Sequence, residues 1–120
     1  MRLLISAGEA SGDLLGSRLL RELSARRPLA AFGMGGARLA AAGLERLARS
    51  EDLAVMGFSE VFAKLPALVR ALRALSREAV QRRPDAAVLI DFPDFHAALS
   101  RSLRREGIPL LYYVSPQVWA

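Results

Sequence analysis

The sequence predicts an α/β domain built on a doubly wound parallel sheet. Three observations carry that reading. Strand-like and helix-like patterns alternate along all 120 residues, with no linker or low-complexity break between them. The run Ala86-Ala87-Val88-Leu89-Ile90 is apolar throughout, which suits a central parallel strand covered on both faces. An apolar start, Leu3-Leu4-Ile5, passes through the loop Gly8-Glu9-Ala10-Ser11-Gly12-Asp13 into an amphipathic stretch from Leu14 to Leu23. Strand, tight glycine loop, helix is how such a domain builds a ligand site, because the backbone can turn sharply beside unpaired helical N–H groups.

Each element has its own signals. The first strand is read as Arg2–Ser6 and the first helix as Gly12–Arg26, broken by Pro28. Leu29–Phe32 reads as a second strand running into the loop Gly33-Met34-Gly35-Gly36. A short helix covers about Ala37 to Ala42 and stops at Gly43, a good residue just past a helix end. Leu44–Leu47 is a third strand, after which Ser50 caps a short turn towards Val55-Met56-Gly57. Leu65, Leu68, Val69, Leu72, Leu75, Ala79 and Val80 follow the 3.6-residue period of a long helix, with Pro66 placed in its first turn. Asp91-Phe92-Pro93-Asp94 ends the apolar strand, Asp94 serves as N-cap of a helix to Glu106, and Gly107 closes it. Pro109–Val114 is the last strand. The chain stops directly afterwards, where a doubly wound domain ordinarily continues with a helix, so it reads as the N-terminal portion of something longer.

Bulk properties narrow the class. A hydrophobic content of 52% against 24% charged residues is that of a globular domain with a real core. With no cysteine, disulfides, thiolate nucleophiles and thiolate metal sites are excluded. The apolar start is too short for a signal peptide, and no stretch approaches the roughly 20 apolar residues of a membrane span. A cytosolic domain is expected. The net charge of +5 rests mostly on arginine. These residues are dispersed and lack the interleaved aromatics of a nucleic-acid surface, so they are read as solvating helix faces. The pairs Arg82-Arg83 and Arg104-Arg105 each fall at a helix end, where cations suit the macrodipole.

In open parallel sheets, ligands bind outside the carboxyl ends of the strands. Gly8–Asp13, Gly33–Gly36, Asp91–Asp94 and Ser115–Trp119 should meet on that rim. The first loop lacks the Lys-Ser/Thr ending of a P-loop, and its glycines do not fall as G-x-G-x-x-G. Gly12 and Gly16 would let the helix lie close to the sheet. Glu9 would be expensive to bury alone and is matched either by a sugar hydroxyl or by an arginine. Asp13 can complement the helix dipole and Ser11 can cap. Asp91, ending a buried strand on the rim, suits a general base; the alternative is a structural Asp accepting N–H bonds from its turn. His96 is the sole histidine, so no histidine-ligated metal cluster forms on this chain. A neutral, hydrogen-bonding role is expected of it, with a ligand contact as the alternative. Trp119 is a candidate for a site or domain interface. If exposed, the apolar stretch from Phe58 to Leu65, with Arg70 and Arg73 nearby, would form a membrane-surface patch.

The segments GEASGD (Gly8–Asp13), GMGGARL (Gly33–Leu39), LAVMGFSEV (Leu53–Val61), RPDAAVLIDFPDFH (Arg83–His96) and YYVSPQVWA (Tyr112–Ala120) occur here in order across the whole chain. In them the chain resembles the N-terminal part of the lipid-A-disaccharide synthases, bacterial glycosyltransferases. The resemblance implies the Rossmann-like N-terminal domain of a two-domain enzyme of the GT-B type, working without metal or cofactor. Its substrates would be UDP-diacylglucosamine and diacylglucosamine 1-phosphate, its products a β-1,6-linked disaccharide phosphate and UDP. It would lie in the cytoplasm, peripheral on the inner membrane, with no nucleic-acid partner. The resemblance makes Asp91 the leading candidate base, and Glu9, Ser11 and Asp13 the residues orienting acceptor hydroxyls. Gly8, Gly12, Gly35, Gly36, Asp94, His96 and Ser115 complete the implied substrate-binding set. Phe58, Phe62, Leu65, Leu68, Val69 and Leu72 would form the membrane or acyl-chain surface. Two departures stand out: the family usually has Asn at the position of His96 and Pro at that of Ala37. Members also run to roughly three domains' worth of this chain, with the donor nucleotide held mainly by the C-terminal domain, so this chain alone is expected to be inactive. A stand-alone Rossmann-like module binding a nucleotide or sugar phosphate, or another GT-B-type enzyme such as a UDP-sugar epimerase, is the alternative.

Overall fold

The computed structural model describes residues 1–53 and 58–114, apart from the side chains of residues 58–61. The elements run β1 (Arg2–Ala7), α1 (Ala10–Arg26), β2 (Ala30–Gly35), α2 (Ala37–Ala41), β3 (Glu45–Arg49), a 3-10 turn (Ser50–Asp52), α3 (Phe58–Arg82), β4 (Ala86–Ile90), α4 (Pro93–Arg105) and β5 (Leu110–Tyr113). Every strand pair is parallel, and the sheet order is β3-β2-β1-β4-β5. The expected doubly wound α/β sheet is therefore present.

Alternation along the strands divides the core in two. Leu3, Ile5, Ala7, Val88 and Ile90 pack on one face with Leu20 of α1 and Leu39 of α2. Leu4, Phe32, Met34, Ala87 and Leu89 pack on the other with Leu75 of α3 and Leu99 and Leu103 of α4. Burial on both faces explains why β1 and β4 read as continuous apolar runs rather than alternating ones. The chain lays β1, β2 and β3 outward in one direction, then returns to place β4 and β5 on the other side of β1. The order reverses between β1 and β4, and the crevice outside their carboxyl ends is where such sheets take ligands.

Five local expectations are corrected. Gly33 and Gly35 lie inside β2 rather than in a rim loop. Gly33 has φ +148° and a side chain there would strike the Ile5 carbonyl oxygen, so the strand needs glycine to lie against β1 at its irregular step towards β3. The long helix begins at Phe58, so Pro66 sits inside it and not in its first turn. The N-cap position of α4 is Phe92, with Pro93 opening the helix and no side-chain cap bond, so Asp94 is not the cap. Ser11 lies within the first turn of α1, whose N-cap position is Glu9, again without a side-chain cap bond. At the other end of α4, Gly107 closes the helix as read: its N–H donates to the Arg104 carbonyl, and the Ile108 N–H donates to that of Leu103. Ser50 is likewise corrected: it is the first residue of the 3-10 turn, whose N-cap position is Arg49 without a side-chain cap bond, while Val55-Met56-Gly57 lie outside the described residues.

Candidate functional site

The β1–β4 crevice is built from two very short loops. Ala7 pairs with Ile90, so Gly8 and Asp91 leave the sheet side by side. Gly8 lies so close beneath the Phe92 ring that a side chain at this position would collide with it. Asp91 and Phe92 both take left-handed backbone conformations, with φ of +51° and +52°. Each such non-glycine residue costs on the order of 1 kcal/mol or more, and successive ones persist only where surrounding contacts hold them. Here those contacts are present. The Asp91 N–H donates to the Tyr113 carbonyl at 2.8 Å, and the Asp91 carbonyl accepts from His96 Nδ1 at 2.5 Å and from the Tyr112 hydroxyl at 3.0 Å.

His96 is fully buried, and its other nitrogen, Nε2, lies 2.8 Å from Ser6 Oγ. A carbonyl only accepts, so Nδ1 carries the proton and the Ser6 hydroxyl donates to Nε2. Burial pushes the His96 imidazole down to about 4, outweighing the opposing pull of the Asp91 carbonyl bond and charge. The ring is neutral at physiological pH. The neutral, hydrogen-bonding role read from sequence is the observed one, whereas a ligand contact is not open to a ring with no exposed surface and both nitrogens engaged. Ser6, His96 and Asp91 resemble a nucleophilic triad in name alone: the aspartate contributes its backbone carbonyl, and the serine has no accessible surface. Burial, then the Asp91 and Asp94 carboxylates, hold the Tyr112 phenol above its ordinary value, which keeps it a donor.

The loop Gly8–Asp13 divides between structure and surface. Asp13 is buried, and its carboxylate accepts from the N–H groups of Gly36 (2.8 Å), Arg38 (3.0 Å) and Leu39 (3.0 Å). It caps α2 from a neighbouring helix instead of complementing the dipole of its own. Its oxygens are occupied by backbone, so it is not positioned to orient a substrate hydroxyl. Gly36 allows the approach, since a side chain there would meet Asp13 Oδ2 at 2.6 Å. Gly12 and Gly35 are buried packing positions: Gly12 lies under Ile90, and Gly35 under Leu39. Glu9 is exposed, so the expected cost of burying it does not arise. Among the described residues its carboxylate makes no ion pair, and the arginine partner considered for it is not there.

A cavity of about 390 Å³ opens at this end of the sheet, lined by Gly8, Glu9, Ala10, Asp13, Gly36, Ala37, Ser50 and Glu51. It brings together Gly8, Glu9 and Gly36 as the sequence implied. Asp91 stands one strand over on the same rim, half-buried, with Asp94 exposed in the first turn of α4. Ser115 and Trp119 lie outside the described residues. Ser50 and Glu51 were missed as lining residues because the third strand read shorter than it is. Tyr112 was missed because its partner is a main-chain carbonyl, which leaves no mark in side-chain patterns, and Ser6 because its partner His96 is 90 positions away.

On the far side of the sheet, Phe62, Leu65 and Val69 of α3 are 76%, 48% and 37% exposed. Leu68 and Leu72 instead pack against the core and are corrected from the surface set, while the Phe58 side chain lies outside the described ones. Next to this stripe, a groove of about 530 Å³ between β3 and α3 has Leu47, Leu53 and Ala71 in its wall and Arg49, Arg70, Arg73 and Arg77 around it. Among the described residues, no helix is long and apolar enough to cross a membrane.

Residues 3–120 match the family described as lipid-A-disaccharide synthetase. A lipid-A-disaccharide synthase of Anaeromyxobacter dehalogenans (strain 2CP-C) is 53% identical over 120 residues, covering 99% of this chain and 31% of that protein. Its counterpart in Koribacter versatilis (strain Ellin345) is 52% identical over 123 residues, covering 100% of this chain and 32% of its own length. That of Neisseria meningitidis serogroup C (strain FAM18) is 49% identical over 117 residues, covering 97% and 30%. The chain thus spans about a third of the length of the curated relatives it matches. It belongs to the lipid-A-disaccharide synthetase family.

Proposed function

We infer that this chain forms the acceptor-side domain of an inverting hexosyltransferase. The enzyme transfers 2,3-diacylglucosamine from its UDP derivative to the 6-hydroxyl of 2,3-diacylglucosamine 1-phosphate, releasing UDP and a β-1,6-linked disaccharide 1-phosphate. The observation that carries this reading is the placement of Asp91 in a chain of this family. It stands beside Gly8 on the β1–β4 crevice, on a backbone held by hydrogen bonds from both sides.

In this role the Asp91 carboxylate accepts the proton of the acceptor hydroxyl as its oxygen attacks the anomeric carbon. Attack from the face opposite the departing UDP inverts the configuration there. The exposed Glu9 carboxylate accepts hydrogen bonds from acceptor hydroxyls at the mouth of the cavity, which the Gly8 and Gly36 backbone also lines. The UDP half belongs to a donor domain supplied by the remaining length of the relatives, so the chain alone does not complete the transfer. The domain lies on the cytoplasmic face of the inner membrane, where both lipid substrates reside, a reading supported by the apolar stripe of α3 and the arginine groove beside it.

The test is Asp91→Asn in the full-length transferase, which keeps size and polarity but removes the base. Turnover should fall about 10²- to 10⁴-fold, with the KM for acceptor changed by about threefold at most. Near-normal turnover would remove Asp91 from the base role.

A further inference from the structure

A base at the end of a strand is only as good as the direction in which its side chain leaves the backbone. At Asp91 that direction is not set by regular structure. The residue has left β4, has not entered α4, and shares with Phe92 a two-residue left-handed step. Restraints on this step include the Tyr113 carbonyl on the Asp91 N–H, and the His96 Nδ1–H and Tyr112 hydroxyl on the Asp91 carbonyl.

His96 is itself immobilised. Ser6 of β1 fixes Nε2, and the ring is walled by Phe95, Phe92 and Tyr112, with centroids 5.7, 5.9 and 6.1 Å away. The chain Ser6 Oγ–H to His96, then His96 Nδ1–H to Asp91, has a single consistent direction of donation. It runs from the central strand, through the first turn of α4, to the peptide group that carries the base. A buried network whose members are all satisfied rigidifies what it touches. Among the described residues, no buried side-chain polar atom lacks a partner.

We propose that His96 is the positioning residue for Asp91, its Nδ1–H together with the Tyr112 hydroxyl pinning the Asp91 carbonyl and thereby fixing the direction of the Asp91 carboxylate. This rests on the base role given to Asp91 above. His96 touches no substrate and moves no proton in the reaction. It acts through the backbone, and any side chain presenting an N–H at the place of Nδ1 can do the same. Asn qualifies, because its amide nitrogen reaches about as far from the backbone as Nδ1 does.

The experiment compares His96→Leu, His96→Asn and Tyr112→Phe with wild type and Asp91→Asn in the full-length transferase. His96→Leu should lower kcat about 100-fold with KM within about twofold, as expected when a reacting group is displaced by about 1 Å. His96→Asn should restore kcat to within about fivefold of wild type, and Tyr112→Phe should show a smaller loss of kcat alone. In the 120-residue chain, the amide–Hα coupling of Asp91 reports its φ directly. It should move in His96→Leu and return in His96→Asn. Wild-type kcat in His96→Leu, alongside an inactive Asp91→Asn, overturns the positioning role and leaves the base role standing. Normal turnover in Asp91→Asn overturns both. Should His96→Leu fail to fold, Tyr112→Phe decides, since its hydroxyl is partly exposed. Wild-type kcat there, with an unchanged melting temperature, overturns the proposal, and a selective loss of kcat supports it.

Discussion

A histidine with no exposed surface makes the stability of the molecule sensitive to acid. In the unfolded chain His96 takes up a proton as pH falls through its ordinary value near 6.5, whereas in the folded chain it resists until about 4. Between those values the unfolded state binds more protons, so stability falls as pH falls, by about 1.4 kcal/mol per unit and about 3 kcal/mol across the window. Above pH 6.5 the group contributes no such slope. Urea midpoints measured at pH 7, 5.5 and 4.5 should therefore drop more steeply for wild type than for His96→Asn, which shares every other titrating group. Parallel slopes would show that the ring is protonated in the folded state. The sequence made this residue legible as a neutral hydrogen-bonding histidine, because it stands alone and early in a helix. Its partners were not legible. Ser6 is 90 positions away, and Asp91 engages through a main-chain atom.

At the scale of elements, α2 shows how a five-residue helix persists. A helix that short does not stand alone, since its nucleation cost is spread over too few bonds. Its N-terminal N–H groups are met by the Asp13 carboxylate from α1, and its Leu39 is buried against Gly16 and Gly35. Asp13→Ala leaves three buried or half-buried donors without an acceptor and should cost about 3 kcal/mol. Chemical denaturation of the 120-residue chain measures this, and a loss below about 1 kcal/mol would show that water replaces the carboxylate. The spacing of 23 to 26 residues between Asp13 and its donors explains why the sequence placed α2 correctly but gave Asp13 a local role. The start of α3 was misjudged for a different reason. Periodicity finds a helix by its core-facing residues, and the first turns of α3 turn Phe62 and Leu65 outward. The apolar period is read only from Leu65 onward, which leaves the first turns of α3 out. In contrast, β1 and β4 were legible because they are buried almost throughout, and the later half of α3 because Ala71, Leu75 and Ala79 repeat on its buried face.

For the molecule as a whole, the sheet separates two candidate surfaces. The β1–β4 crevice and its cavity lie at the strand ends, while the exposed residues of α3 lie on the outer side of the α3–α4 layer. Around the α3 axis, Phe62, Leu65 and Val69 form one stripe, with Arg70, Arg73 and Arg77 on the adjoining sector. Among the described residues, these three arginines have no ion-pair partner. Such a cross-section fits the membrane placement proposed above, in which the apolar stripe would enter the acyl boundary and the cations would stay at headgroup level. Near an anionic surface each arginine is worth about 1 kcal/mol, and full burial of each large apolar side chain adds about 1.5 to 3 kcal/mol. By these figures the apolar stripe carries the larger share and the arginines add to it on an anionic surface. The 120-residue chain should therefore float with vesicles of phosphatidylcholine containing phosphatidylglycerol, more weakly with phosphatidylcholine alone, and less as salt is raised. The triple change Phe62→Ser, Leu65→Ser, Val69→Ser should abolish flotation on both vesicle types. Arg70→Gln, Arg73→Gln, Arg77→Gln should remove only the preference for anionic lipid and its salt dependence. Equal flotation of wild type and the serine variant would show that α3 does not face the membrane, while leaving the reading of the β1–β4 crevice untouched.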